Sequence, residues 1–189
     1  MIPKELSLKS IINTYKNLSQ YVIETPILEG SSYINEILNT KVIFKMEFMQ
    51  NAGTFKVRGA TNNVLNLSES QKNSGVTSVS AGNHAIAAAY VANKFKLRNK
   101  IFMYNSANQF RINKCKELSA NLKFTDPHNA FTLVENASRE EGYFFIHPFD
   151  GPFTLQGTAS LGLEISKQVD KIDNILISVG GGGLISGIG

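Results

Sequence analysis

The sequence lacks several features of secreted, membrane-spanning and metal-binding proteins. Its single cysteine, Cys115, excludes an internal disulfide, and with no N-terminal signal segment this favours a cytoplasmic protein. The longest wholly apolar run covers residues 85–92, whereas a membrane-spanning helix needs about 20 residues. His84, His128 and His147 are far apart with no metal-ligand spacing, so we expect no metal site. What remains is a globular protein without a membrane or metal partner.

Charge and composition also indicate a globular protein. Hydrophobic side chains make up 42% of the 189 residues, enough apolar material for a sizeable core. The 19 basic and 15 acidic side chains give a net charge of +4, and the lysines are scattered without a block of like charge. This pattern favours a mildly basic, solvated surface over a nucleic-acid partner.

The apolar pattern predicts alternating helices and strands. Helical spacing over residues 8–18 indicates an amphipathic helix, a short helix is expected at 31–38, and period-two alternation at 42–48 indicates a strand. Helices and strands then alternate over residues 58–168, which predicts an α/β fold with a mostly parallel sheet. A last strand is expected at 175–179, followed by glycines and a beginning helix. Because a domain seldom ends there, we interpret the chain as part of a longer protein.

Lys56 lies at the first of three strand-to-helix junctions that hold unusual residues. Ligands of open α/β sheets bind at such junctions, where helix N-termini present unpaired N–H groups. Lys56 follows the Gly53-Thr54 turn and opens a helix, where the helix dipole disfavours a charged lysine. An imine-forming lysine there needs a lowered pKa, through desolvation or a neighbouring cation such as Arg58. Taken alone, the motif also fits a surface lysine beside a turn.

The second junction, residues 80–84, leads through small residues into an alanine-rich helix. Gly82 allows the backbone to approach a ligand, and the N–H groups that follow it can hold a carboxylate. The Asn83 amide can donate a hydrogen bond to a ring oxygen. The alternative is that Asn83 is an ordinary N-cap and His84 a hydrogen-bonded core histidine.

The third junction is a run of four glycines, Gly180, Gly181, Gly182 and Gly183. Successive N–H groups of such a run can form a concave nest for a phosphate before the helix that starts near Leu184. The run does not fit the dinucleotide fingerprint G-x-G-x-x-G, which argues against a nucleotide-binding oxidoreductase. The alternative is a glycine-rich tail without a ligand.

Taken together and in this order, the motifs resemble those of pyridoxal-phosphate enzymes of the tryptophan-synthase-β fold type, fold type II, and specifically the threonine/serine dehydratase group. The resemblance implies a two-domain, open parallel-sheet α/β fold. Its large cofactor-binding domain would comprise residues 1–47 and 151–189 and be incomplete, and residues 48–150 would form a small inserted α/β domain. The motifs concerned are Thr25-Pro26-Ile27-Leu28, Lys45-Met46-Glu47, residues 53–60, residues 80–84, His147-Pro148-Phe149-Asp150, Gln156-Gly157-Thr158 and residues 180–184.

The resemblance also implies roles for individual residues. Lys56 would hold pyridoxal 5'-phosphate through an imine and later move the substrate α-proton, Phe55 would pack against the cofactor, and Asn83 would bind its ring hydroxyl. The phosphate would be held by Gly180, Gly181, Gly182, Gly183 and Leu184, and the substrate carboxylate by Ser80, Ala81, Gly82 and His84.

The implied activity is β-elimination of L-threonine or L-serine to a 2-oxo acid and ammonia, in a protein that is a homodimer at full length. A racemase of the same fold is the nearest alternative, and it needs a second acid/base group on the face opposite Lys56. Serine racemases have a serine just before the Gly-Asn-His triplet, whereas this chain has Ala81 there. Phe149-Asp150 also resembles the dehydratases more. A non-catalytic protein that binds an amino acid or phosphate is the third reading.

Overall fold

The N-terminal segment combines two helices with a small antiparallel sheet. The computed structural model describes residues 6–189. Both helices begin as predicted, because the hydroxyls of Ser7 and Ser31 accept hydrogen bonds from first-turn N–H groups. The elements are α1 (Leu8–Leu18), β1 (Ile27–Glu29), α2 (Ser32–Leu38) and β2 (Ile43–Lys45), with β1 antiparallel to β2.

The strand predicted over residues 42–48 is shorter than expected. It ends at Lys45, because Met46 leaves the extended conformation (φ −87°, ψ 57°) and Glu47–Met49 forms a 3-10 turn. A second such turn, Asn51–Gly53, leads to the first of the long helices. The alternation of apolar and polar residues therefore continues past the end of the strand into a turn, where it does not indicate a strand.

A four-stranded parallel sheet forms the centre of the fold. Its strand order is β5-β4-β3-β6 and all three pairings are parallel, which confirms the predicted α/β class. The sheet lies inside the range 48–150, whose boundaries as a separate domain remain a prediction. The elements are α3 (Lys56–Leu65), α4 (Glu69–Ser74), β3 (Val76–Val79), α5 (Asn83–Lys94), β4 (Asn99–Tyr104), α6 (Gln109–Glu117), β5 (Leu122–Thr125), α7 (Pro127–Glu141) and β6 (Phe144–Phe145).

Helix α5 is buried along its middle. The apolar run over residues 85–92 is its middle, and all of these residues except Tyr90 are buried. Two core clusters meet along this helix, one with Val57 and Val64 of α3 and one with Ile112 and Cys115 of α6. This packing explains why the run is apolar on every face. No helix within residues 6–189 is long and apolar enough to cross a membrane.

Two long helices, α3 and α8 (Pro152–Gln168), approach each other closely. A Cβ built at Gly157 would lie 2.5 Å from the carbonyl oxygen of Arg58, and one at Gly59 would lie 3.0 Å from that of Thr154. Gly157 therefore leaves no room for a Cβ, and a Cβ at Gly59 would require Thr154 to shift by a few tenths of an ångström. The last helix, α9 (Gly183–Ile188), packs on the middle of α8, where Gly187 lies close to Thr158 and Ala159.

The strand predicted over residues 175–179 is wrong. This segment pairs with no strand in the part of the chain that the structure describes. Its apolar side chains Ile175, Leu176 and Val179 are exposed, Leu176 completely. A strand needs a neighbour for its backbone N–H and C=O groups, and sequence pattern alone does not show whether one is present.

A buried ion cluster joins α3, α8 and the turn after β2. The Arg58 guanidinium is completely buried and lies 2.9 Å from a carboxylate oxygen of Glu164 and 2.8 Å from one of Glu47. Lys45 also pairs with Glu164. Burial works against the charge of Glu164, but hydrogen bonds from Arg58 and Lys45 hold its pKa below the usual value. These contacts fix the start of α3, where Lys56 lies.

Replacing Glu164 by glutamine tests this cluster. The Glu164→Gln variant should lose about 3 kcal/mol of unfolding free energy, because Arg58 is left buried without its full counter-charge. Glu69→Gln is the matched control, since it breaks an exposed pair with Lys72 and should cost less than about 1 kcal/mol. Urea denaturation of the whole protein measures both. Equal losses in the two variants would contradict a stabilising role for the buried cluster.

Candidate active site

Lys56 is the first residue of α3, and its amine is held inside the protein. Thr54 accepts a hydrogen bond from the Lys56 backbone N–H at 3.3 Å. The Lys56 side chain turns inward, where Nζ donates to the carbonyl oxygen of Pro148 at 2.5 Å and lies 5.1 Å from the centroid of the Phe55 ring. Burial lowers the pKa of Lys56. A lysine with a lowered pKa is neutral more often, and only the neutral amine is nucleophilic.

Arg58 contributes nothing to this shift. Sequence reasoning offered it as a cation that could lower the pKa of Lys56, but its guanidinium is neutralised by Glu47 and Glu164. Burial is the cause of the shift. The two basic residues of this helical turn therefore have different tasks: Lys56 lies at a cavity, and Arg58 anchors the helix.

A small cavity of about 10 Å³ borders the Lys56 side chain. It lies between the start of α3, the turn after β6, and the starts of α5, α8 and α9. Of the residues predicted for the site, it brings together Phe55, Lys56, His84 and Gly183. Its full lining is Phe55, Lys56, Gly59, Ala60, His84, Pro148, Phe149, Thr154, Thr158 and Gly183.

His84 is buried beside this cavity and is neutral. Its Nε2 lies 3.0 Å from the carbonyl oxygen of Ile146, which can only accept, so Nε2 carries the proton and Nδ1 does not. Burial is the main cause that lowers the pKa of His84 to about 4; the hydrogen bond to Ile146 opposes this shift, and the charges of Lys56 and His147 add to it. Nδ1 is buried and has no hydrogen-bond partner among the described residues. His84 therefore offers a ligand an acceptor, and only its backbone N–H can donate to a carboxylate.

The loop before α5 faces a second, larger pocket. Helix α5 starts at Asn83 without a side-chain cap, because Gly82 occupies the N-cap position. The ordinary N-cap reading of Asn83 is therefore wrong. Ser80 accepts a hydrogen bond from the Gly82 N–H at 3.0 Å, and a Cβ at Gly82 would lie 2.6 Å from the Arg111 guanidinium. Ala81, between them, is half-buried.

Asn83 lines this second pocket and is absent from the residues around Lys56. The structure thus places Asn83 and His84, neighbours in sequence, at two different pockets. The larger pocket has a volume of about 930 Å³. Its lining is Ala52, Gly53, Asn83, Ile86, Tyr90, Asn108, Phe110, Arg111, Lys114, Glu117 and Leu118.

The glycine run, residues 180–183, packs against Phe149, which lines the Lys56 cavity. A Cβ at Gly181 would lie 2.3 Å from the Phe149 ring, and one at Gly183 would lie 2.6 Å from the Phe149 carbonyl oxygen. Gly182 has a positive φ of 87°, which favours glycine. A Cβ at Gly180 or Gly182 would meet no atom within 4 Å. Two glycines therefore allow close packing, the other two border open space, and Leu184 lies half-buried behind them.

Comparison with known proteins identifies the class of protein that these features define. The family model for pyridoxal-phosphate-dependent enzymes matches residues 18–189. The chain is 38% identical over 182 residues to phenylserine dehydratase of Ralstonia pickettii, covering 96% of this chain and 56% of that protein. It is 34% identical over 183 residues to L-threonine ammonia-lyase of Thermotoga maritima, covering 96% and 45%. The structure of maize serine racemase matches with a TM-score of 0.91 at 32% identity, over 96% of this chain and 56% of that one.

The chain therefore belongs to the pyridoxal-phosphate-dependent enzymes and has the α/β architecture of fold type II. The predicted resemblance to the threonine/serine dehydratases and the predicted cofactor are confirmed. The chain spans about half the length of the curated relatives it matches.

The residues present fit this cofactor. A half-buried lysine with a lowered pKa borders the cavity, and the unpartnered Nδ1 of His84 offers an acceptor there. Beside Gly180 and Gly182 there is open space that any other residue would fill in part. The side-chain amide of Asn83 is the one predicted cofactor contact that lies at the other pocket.

His84 predicts how stability depends on pH. An unfolded histidine titrates near pH 6.5 and folded His84 near 4, so between these values only the unfolded chain takes up the proton. The free energy of unfolding should therefore fall as the pH drops from 6.5 to 4, with His84 contributing as much as about 3 kcal/mol. His84→Gln should flatten this dependence, because glutamine can donate to Ile146 but does not titrate.

Denaturant unfolding of the whole protein at pH 7 and pH 4.5 measures the difference. His128→Gln is the control, since His128 is an exposed histidine and its variant should keep the wild-type dependence. An unchanged fall in unfolding free energy for His84→Gln would contradict the assignment of His84 as buried and neutral.

Proposed function

We propose that the whole protein is a pyridoxal-phosphate-dependent ammonia-lyase. It removes the β-hydroxyl of a hydroxy amino acid, L-threonine or L-serine, and the products are a 2-oxo acid and ammonia. The observation that carries this proposal is the half-buried Lys56 amine, which donates to the Pro148 carbonyl and has a lowered pKa. The dehydratase and ammonia-lyase names of the relatives support the reaction type. A cytoplasmic location and a homodimer at full length are part of the same proposal.

Lys56 has two tasks in this reaction. When bound, pyridoxal phosphate supplies an electron sink for the negative charge left at the substrate α-carbon. Lys56 holds the cofactor, and its freed amine then accepts the α-proton at Nζ. A desolvated, neutral amine is suited to both steps, because each needs the nitrogen lone pair. The Pro148 carbonyl limits where the amine can lie.

The surrounding residues bind and orient the cofactor and the substrate. Phe55 gives the cofactor an apolar surface, and the backbone N–H groups of residues 180–184 hold its phosphate. Asn83 binds the ring hydroxyl, which requires its side chain to turn from the larger pocket toward Lys56. The backbone N–H groups of residues 80–84 hold the substrate carboxylate. Neutral His84 contributes an acceptor at Nδ1.

Elimination is favoured over racemisation by the residue that follows Ser80. A racemase must deliver a proton to the face opposite Lys56, and the Ala81 methyl group has none to give. The neighbouring Ser80 hydroxyl is already a hydrogen-bond acceptor for Gly82. Racemisation remains the second candidate function because of the likeness to maize serine racemase. The third candidate function is that of a protein that binds its ligand without converting it. Such a protein does not require a lysine with a lowered pKa.

The larger pocket is a candidate for the substrate side chain. It lies beside the loop proposed for the carboxylate and presents apolar groups from Ile86, Tyr90 and Phe110. Its volume of about 930 Å³ exceeds what a threonine methyl group needs. One relative is named for phenylserine, so this bulkier amino acid belongs in any substrate panel.

Trapping of the cofactor tests the proposal. The whole protein is incubated with pyridoxal phosphate, reduced with borohydride and mapped by peptide mass spectrometry. The label should lie on Lys56. Lys56→Ala should lose the label and at least about 10³-fold of ammonia release from L-threonine, L-serine or phenylserine. Lys72→Ala, at an exposed lysine paired with Glu69, should keep both.

The other outcomes separate the candidate functions. Label on Lys56 with inversion of L-serine to D-serine but no ammonia would show a racemase. Label with neither product would show a binding protein. A label on other lysines only would contradict the assigned role of Lys56.

A further inference from the structure

We propose that His147 is a positioning residue, which holds the turn over residues 148–150 against Lys56 by accepting backbone hydrogen bonds at Nδ1. The inference rests on the proposed function of Lys56 and adds a residue to which that function assigns no role. His147 follows β6 and precedes the turn that leads into α8. It lies outside the lining of the Lys56 cavity, so it acts through the turn and does not touch a ligand there.

The hydrogen bonds of the turn define the state of the ring. The backbone N–H groups of Asp150 and Phe149 point to Nδ1 of His147 at 2.9 and 3.4 Å. A backbone N–H only donates, so Nδ1 carries no proton and the ring is neutral with its proton on Nε2. The Thr154 hydroxyl donates to the His147 carbonyl at 3.3 Å. These bonds tie the turn to the end of β6 and to the first turn of α8.

Aromatic neighbours keep the imidazole in place. The ring centroid of His147 lies 4.6 Å from that of Phe149, 5.2 Å from that of Phe145 and 5.8 Å from that of Phe131. A phenylalanine at this position would satisfy the same packing. Packing alone therefore does not need a histidine, whereas the two hydrogen bonds need an acceptor at the position of Nδ1.

The turn that His147 holds contacts the site at two points. The Pro148 carbonyl accepts from Lys56 Nζ at 2.5 Å. The ring and carbonyl of Phe149 pack so tightly on Gly181 and Gly183 that neither position admits a Cβ. Displacement of this one turn would move both the amine and the glycine run. The acceptor on His147 therefore controls two parts of the site that are 124 or more residues apart along the chain.

The surroundings keep this acceptor available. Burial lowers the pKa of His147, the Asp150 carboxylate opposes this shift and the Lys56 amine adds to it. The ring therefore stays neutral near pH 7, with Nδ1 free to accept. Asp150 also accepts a hydrogen bond from the Gly151 N–H at 2.7 Å, which helps to close the turn.

Two variants separate the acceptor from the packing. His147→Phe keeps an aromatic ring but has no acceptor. His147→Asn loses the ring but places an amide oxygen near the position of Nδ1, and asparagine accepts hydrogen bonds of this local kind readily. A purely structural role predicts that phenylalanine is tolerated better. The positioning role predicts that asparagine restores what phenylalanine loses.

Two measurements on the whole protein decide between these roles. The first is the rate at which Lys56 is labelled by pyridoxal phosphate and borohydride, which should fall about three- to tenfold in His147→Phe and less than about twofold in His147→Asn. The second needs no cofactor: hydrogen exchange of the peptides covering residues 147–151 and 180–184. Exchange should accelerate by a similar factor in His147→Phe only.

The result that overturns the inference is equal behaviour of His147→Phe and wild type, or a loss in His147→Asn as large as that in His147→Phe. If wild-type Lys56 takes no label, the proposed function fails. The exchange measurement then still decides the inference: it stands if only His147→Phe loosens both peptides, and it is overturned otherwise.

Discussion

The buried charge of Arg58 is the constraint on which the rest of the structure depends. A guanidinium without access to water must be paired, and Glu47 and Glu164 pair it from two different segments of the chain. The first turn of α3 is therefore fixed between the N-terminal segment and α8. Lys56 lies in the same helical turn, so its place in the fold is set by a cluster that takes no part in its chemistry.

Among the described residues, no carboxylate pairs with the two titratable side chains of the site, Lys56 and His84. Lys56 and His84 both have lowered pKa values because they are buried, and the groups that contact them are the backbone carbonyls of Pro148 and Ile146. A backbone carbonyl holds a side chain by a hydrogen bond. Because it carries no full negative charge, it does not raise the pKa of that side chain as strongly as a carboxylate would. Each of these two side chains therefore lies in the protein without the carboxylate that would raise its pKa.

The sequence was sufficient to predict the α/β class, most of the helices and strands over residues 58–168 and the class of cofactor, because period and motif order are local signals. The short helix α4 was not predicted. The prediction failed at residues 175–179, where a strand depends on a neighbour that no local pattern reveals. The contact between the Pro148 carbonyl and Lys56 was also not predictable, because every residue has a backbone carbonyl and the sequence does not show which one a side chain contacts. Arg58 was assigned to the wrong task, because its partner Glu164 lies 106 residues further along the chain. The separation of Asn83 from the Lys56 cavity likewise needed three-dimensional information.

The central claim is that the half-buried Lys56 amine and the glycine run belong to one cofactor site. A crystal structure of the whole protein grown with pyridoxal phosphate tests it most directly. The account predicts electron density continuous from Lys56 Nζ to the cofactor, with the phosphate against the backbone of residues 180–183. A cofactor bound to another lysine, or a phosphate held away from the glycine run, would contradict it.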